Sequence, residues 1–107
     1  MFDPDRIYHE ITKAGEDWAD KEAAADLLEE TKKTVLAEIM NAIPNKSSAA
    51  QVEREALADP VYRLHVTNMV LARKEANKAR VRYEATKVLS EMRRSQESTR
   101  RAEMTLR

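Results

Sequence analysis

Two sets of charged side chains in this sequence could do chemistry, and the first is a group of carboxylates in the N-terminal half. Glu22, Asp26, Glu29 and Glu30 follow the three- and four-residue spacing of one helix face, and carboxylate oxygens are the ligands that Mg²⁺ takes. A helical magnesium site also needs acids from a facing helix. The expected facing helix is basic, so we predict that these acids bind no metal.

The histidines and serines form no recognisable catalytic or metal-binding set. His9 and His65 are the only histidines, and they would not meet in a chain folded back on itself. The chain has no cysteine, which leaves a closed zinc site short of ligands. With one glycine it has no phosphate-cradling loop, and its serines lie in no nucleophile motif. We therefore predict no enzyme activity, no cofactor and no metal, with both histidines on the solvated surface.

Basic side chains in the C-terminal half are the second set, and they could bind nucleic acid. Residues 1–59 hold 14 acidic and 7 basic residues, whereas residues 60–107 hold 5 acidic and 12 basic residues. A helix carrying these cations could follow a phosphate backbone, with Tyr62 and Tyr83 stacking on nucleobases. In the alternative, the acidic half neutralises the basic half, because the net charge of the whole chain is zero.

The C-terminal segment is the part of the basic half that should escape this neutralisation. If the chain folds back on itself, its last residues extend past the start of the first helix. The predicted nucleic-acid-binding residues are the arginines of this segment: Arg93, Arg94, Arg100, Arg101 and Arg107. The other interpretation of the segment is a solvated helix end without a ligand.

The composition predicts that long helices carry all of these side chains. Charged residues make up 36% of the chain and aromatic residues 5%, with one glycine and three prolines, which is typical of long helices and coiled coils. Asp3-Pro4 and Asp59-Pro60 are helix starts, and Ser48 with Gln51 is a capping box. The predicted elements of a single helical domain, residues 1–107, are a helix at about 4–43, a turn at 44–47, a short helix at about 48–58 and a long helix at about 60–104.

Apolar residues recur at spacings of three and four in both long helices, as in a coiled coil. Folding the chain at residues 44–59 brings Ala25 beside Ala76 and Ala79, and Trp18 near Tyr83. The same alignment places acids beside bases, for example Glu29 beside Arg73. On the last helix the inward stripe is predicted to continue through Leu89 and Met92. The fold class that follows is an all-α, long antiparallel helical hairpin, coiled-coil-like, with a short linking helix.

One seam between two helices cannot cover every apolar residue. Those that lie off the seam are Leu27, Leu36, Met40, Ile43, Leu64, Val70 and Val88. We predict that a homo-oligomer, most simply a dimer completing a four-helix bundle, covers them. The helix pairing could also form between two chains rather than within one, and the sequence leaves that choice open.

The sequence also bears on the compartment. The absence of cysteine favours a reducing cytoplasm. No apolar run approaches the roughly 20 residues that span a bilayer, so we expect no membrane partner.

Two parts of the chain resemble segments of small all-helical proteins of tailed bacteriophages. They are SAAQVEREALADPVY at 48–62, and RRSQ at 93–96 with RRAE at 100–103. The quoted segments make up 23 of the 107 residues. It implies a phage accessory protein in the cytoplasm of an infected bacterium, with a role in DNA metabolism, and supplies no catalytic residues.

These observations predict a non-catalytic helical binding or scaffold protein that associates with nucleic acid through its C-terminal arginines. The alternative is a protein-directed adaptor or inhibitor, which would dock a partner through apolar residues or through the acidic helix.

Overall fold

The computed structural model describes residues 3–44 and 48–106, and these residues form three helices and no strand. The helices are α1 (Pro4–Ala42), α2 (Ala49–Ala58) and α3 (Pro60–Leu106). Residues 45–47 of the predicted turn, and Arg107 among the predicted binding residues, lie outside the described residues. The all-α class is confirmed.

Side-chain caps explain where the helices begin. The Asp3 carboxylate accepts hydrogen bonds from the backbone N–H groups of Asp5 and Arg6 at 3.1 and 3.3 Å. The Ser48 hydroxyl accepts from the N–H of Gln51 at 3.2 Å, and Asp59 accepts from the N–H of Val61 at 2.8 Å. Each cap satisfies N–H groups that have no partner within the first helical turn.

The contacts divide the chain into two units, one made of residues 1–20 and 77–107 and the other of residues 21–76. Each unit is described by itself below. The first is called the terminal unit and the second the hairpin unit.

The hairpin unit is an antiparallel helix pair closed by α2. Arg73 on α3 bonds to Glu22, Asp26 and Glu29 on α1, and His65 contacts the Leu28 carbonyl oxygen at 2.8 Å. Arg73, later in α3 than His65, thus reaches Glu22, which lies earlier in α1 than Leu28, as expected for antiparallel helices. This arrangement confirms the predicted helical hairpin.

Small side chains form much of the core of the hairpin unit. Ala25, Ala56 and Ala76 are completely buried, and Val52 and Tyr62 are nearly so. Alanine at these positions lets the helix backbones approach closely. The predicted pairing of the Ala25 and Ala76 segments is consistent with the burial of both.

The terminal unit pairs the start of α1 with the C-terminal part of α3. The ring centroids of Trp18 and Tyr83 lie 5.5 Å apart, as the sequence predicts. Gly15 lies within α1 without ending it, and a β-carbon there would lie 3.2 Å from Tyr83 Cε1. The missing side chain therefore lets the tyrosine ring approach the α1 backbone.

One expectation about the histidines is wrong. His9 is exposed, but His65 is only partly exposed, and its Nε2 lies 2.8 Å from the Leu28 carbonyl oxygen. A carbonyl only accepts, so this nitrogen carries the proton and donates it. His65 thus links α3 to α1 within the hairpin unit instead of lying in solvent.

None of the helices in the described part of the chain is long and apolar enough to cross a membrane.

Candidate nucleic-acid interface

The arginines predicted to bind nucleic acid lie on one continuous stretch of α3 in the terminal unit. Arg93, Arg94, Arg100 and Arg101 are all exposed, as is every described residue from 98 to 106. Arg107 lies outside the described residues. The helix thus presents four cations to solvent over a little more than two turns.

Glu97 partly neutralises the later pair of arginines. Its Oε1 lies 2.9 Å from Arg100 Nη2 and 3.7 Å from Arg101 Nε. The Glu97 side chain is 18% exposed, whereas the two arginines are 65% and 73% exposed. A phosphate that contacts Arg100 or Arg101 would have to share these cations with Glu97.

The earlier pair has no such carboxylate. Within residues 3–44 and 48–106, no ion pair joins Arg93 or Arg94 to an acid. Both guanidinium groups are therefore available to an anion from outside the chain without breaking an existing bond.

Arg93 and Arg100 line a groove of about 540 Å³ between α3 and the first turn of α1. The other residues of this groove are Asp3, Arg6, Ile7, Gln96 and Glu97. Asp3 caps α1, Arg6 is bonded to Glu10 at 3.2 Å, and Glu97 holds Arg100. The groove therefore has mixed charge.

Farther from the C-terminus, Arg73 and Arg82 of α3 bond to acids of α1. Arg73 makes a bidentate contact with Glu29 at 2.8 Å for each bond, and it reaches Glu22 at 2.7 Å and Asp26 at 2.6 Å. In the terminal unit, Arg82 reaches Asp17 at 3.5 Å. Acids of α1 thus neutralise these two arginines of α3, as considered in the sequence analysis, but they do not neutralise Arg93 and Arg94.

The hydrogen bonds between Arg73 and its three acids shift pKa values so that the charged forms of Arg73 and Glu29 are favoured. Hydrogen bonding from Arg73 lowers the pKa of Glu29 below its ordinary value of 4.5. Hydrogen bonds to Glu29, Asp26 and Glu22 raise the pKa of Arg73. The carboxylates that resemble metal ligands in sequence therefore hold a guanidinium, and the described residues contain no group of three acids or histidines placed to hold a metal.

The two tyrosines predicted to stack on nucleobases both contact other parts of the protein. Tyr62 is 8% exposed and belongs to the core of the hairpin unit. Tyr83 packs on Trp18, and Lys87 Nζ lies 5.4 Å from the centre of its ring. Tyr62 is thus too buried to stack on a base. Tyr83 keeps part of its surface exposed, and its stacking on a base stays a prediction.

Several apolar residues of α3 that the sequence predicts to face α1 are exposed instead. Leu89 and Met92 were predicted to face α1, yet they are largely exposed, as are Val81 and Val88. In this unit the inward positions are Ala79, Tyr83, Thr86 and Ser90. The hydroxyls of Thr86 and Ser90 bond to carbonyl oxygens of their own helix, at 2.7 and 2.8 Å, which lets polar residues lie on the inner face.

Comparison of the chain with protein-family models, with curated proteins and with solved structures found no match.

Proposed function

We propose that this chain is a non-catalytic helical binding protein that contacts the phosphate backbone of a nucleic acid through Arg93, Arg94, Arg100 and Arg101. The observation that carries the proposal is the exposure of these four arginines on α3, two of them without an acid partner among the described residues. Guanidinium groups bind phosphate oxygens through charge-assisted, often bidentate hydrogen bonds.

The expected binding does not depend on base sequence. Tyr62 and Tyr83 are held in protein contacts, and stacking on aromatic rings is the main way in which proteins hold unpaired bases. Contacts from arginine to phosphate position a protein on nucleic acid but carry no sequence information. We therefore expect similar affinity for duplexes of different sequence.

The resemblance to tailed-phage proteins suggests the biological context of this proposal. In that setting the chain acts as an accessory factor in the cytoplasm of an infected bacterium, on DNA rather than RNA. We also propose that it works as a homodimer, since exposed apolar residues are more numerous than a single helix pair can cover.

The first test removes the two unpaired arginines. We expect Arg93→Gln/Arg94→Gln to weaken binding of a labelled duplex about 10-fold. The slope of log affinity against log salt should become shallower by about 2, because a protein that contacts two fewer phosphates releases fewer counterions when it binds. Fluorescence anisotropy of the labelled duplex measures both quantities.

The matched control is Lys33→Gln/Arg54→Gln, which removes the same charge from exposed positions in the hairpin unit. It should leave the affinity within about twofold of the parent protein if local contacts matter more than net charge. Equal weakening by both double variants would contradict a site at the arginines.

A protein-directed adaptor is the second candidate, and the exposed apolar face of α3 favours it. Val81, Val88 and Met92 are more than half exposed and could receive a partner helix. The inhibitor form of this alternative, acting through an acidic face, has less support because Glu22, Asp26 and Glu29 are bonded to Arg73.

A further inference from the structure

Glu97 is the acid around which the four arginines of the candidate interface are arranged. On an α-helix, the surface neighbours of a residue are the residues three and four positions before and after it. For Glu97 these positions are 93, 94, 100 and 101, and each of them holds an arginine. One carboxylate therefore lies at the centre of the cationic set.

The contacts of Glu97 show that its carboxylate already occupies part of this set. Its Oε1 lies 2.9 Å from Arg100 Nη2 and 3.7 Å from Arg101 Nε, so two guanidinium groups lie against one carboxylate oxygen. Phosphate oxygens and carboxylate oxygens accept the same charge-assisted hydrogen bonds from arginine. The carboxylate thus takes the place at Arg100 and Arg101 that a phosphate oxygen would need.

Helix packing holds Glu97 in this position. It follows the buried Ser90 by seven residues, or about two turns, and therefore lies on the same inner face of α3. Its side chain is 18% exposed, against 65% for Arg100 and 73% for Arg101, and it lines the groove beside the first turn of α1. The carboxylate is thus more confined than the arginines, and it stays among them when a phosphate approaches.

We propose that Glu97 competes with phosphate for Arg100 and Arg101 and so limits the affinity of the chain for nucleic acid. This inference rests on the proposed function and adds a residue that opposes it. Arg93 and Arg94, which have no acid partner among the described residues, contact phosphate without competition. At Arg100 and Arg101 the phosphate must displace Glu97 or share the cations with it.

Removal of the charge of Glu97 tests the competition. Glu97→Gln should tighten binding of a labelled duplex about 5-fold at roughly 50 mM salt, the size of the repulsion between two unit charges a few ångströms apart in water. The gain should be smaller at roughly 200 mM salt, because salt screens this repulsion. Fluorescence anisotropy of the full-length chain measures both affinities, and circular dichroism checks that the helices persist.

Two control variants separate the position of the charge from its sign. Glu55→Gln removes one negative charge from an exposed position on α2 in the hairpin unit, and it should leave the affinity within about twofold of the parent protein because salt screens distant charges. Glu97→Asp keeps a carboxylate among the arginines, so it should bind the duplex more weakly than Glu97→Gln does.

The possible results distinguish this inference from the proposed function. Tighter binding by Glu97→Gln, but not by Glu55→Gln, supports the competition. An unchanged affinity, or equal tightening by both variants, would overturn it. Weaker binding by Glu97→Gln would also overturn it, since Glu97 would then position the arginines for phosphate. In these cases the parent protein still binds and the proposed function stands, whereas absence of binding by both the parent and Glu97→Gln would overturn the function and the inference together.

Discussion

Replacing Ala76 by glutamate should lower the free energy of unfolding by about 3 kcal/mol or more, because it forces a longer, charged side chain into a packed interior. Ala76 on α3 is completely buried in the hairpin unit, as is Ala25 on α1. Because the methyl group of Ala76 is already fully enclosed, a glutamate side chain at this position has no space that it could occupy without displacing its neighbours. Urea denaturation followed by circular dichroism measures the loss.

The matched control is Asn77→Glu, one residue along the same helix. Asn77 is exposed, so this variant adds the same charge without burying it, and its stability should change by less than about 0.5 kcal/mol. A similar, small effect of both substitutions would show that the alanine face is open to water, and it would contradict the close helix packing described above.

Replacing Arg73 by methionine is the second change expected to have a large effect. The arginine is 28% exposed and bridges α3 to three acids of α1. Methionine keeps much of the apolar stem but leaves Glu22, Asp26 and Glu29 without the cation between them. We expect a lower melting temperature at neutral pH, and a larger decrease than for Lys74→Met, which removes an exposed cation from the next position.

The effect of Arg73→Met should depend on pH in a defined direction. Because Arg73 lowers the pKa of Glu29 below 4.5, the ion pair stabilises the folded chain fully above about pH 4.5. That contribution is lost as the pH falls through the lower pKa of the folded state. The melting temperatures of the parent and variant proteins should therefore converge in acid. A difference that stays constant from pH 7 to strongly acidic solution would argue against the ionic origin of the effect.

Much of the helix pattern is predictable from the sequence because local chemistry decides it. Asp3-Pro4, Ser48 with Gln51, and Asp59-Pro60 begin the helices through caps that the structure contains. Small residues at Ala25 and Ala76, and the match of Glu29 with Arg73, indicate an antiparallel pair without any knowledge of distant contacts.

The choice of face on α3 is not predictable in the same way. Two stripes of equal periodicity lie two residues apart, and hydrophobicity alone assigns Leu89 and Met92 to the inside. The structure instead turns Ser90 inward, because a serine hydroxyl can bond to its own helix, here to the Thr86 carbonyl oxygen. Repetition of the spacing at 81, 85, 88 and 92 is the signal that could have revealed a second apolar face.

The sequence alignment of α1 with α3 also does not show that Arg73 binds several acids at once, because it matches each charge with one opposite charge. The sequence pairs Arg73 with one acid, Glu29. A guanidinium has five N–H donors, and Arg73 also reaches Asp26 and Glu22, which lie about one and two turns before Glu29. The contact of Tyr83 with Trp18 is predictable from the same alignment, whereas the position of Lys87 Nζ near the tyrosine ring is not.

The most direct test of the account is the salt dependence of nucleic-acid binding by the full chain. If Arg93, Arg94, Arg100 and Arg101 each contact a phosphate, affinity for a labelled duplex should fall about 100-fold between roughly 50 and 200 mM salt, and single-stranded DNA should show a shallower slope. Anisotropy titrations at several salt concentrations give this slope. Absence of binding at the lowest salt, or binding that salt does not weaken, would contradict a phosphate-contacting role for the arginines.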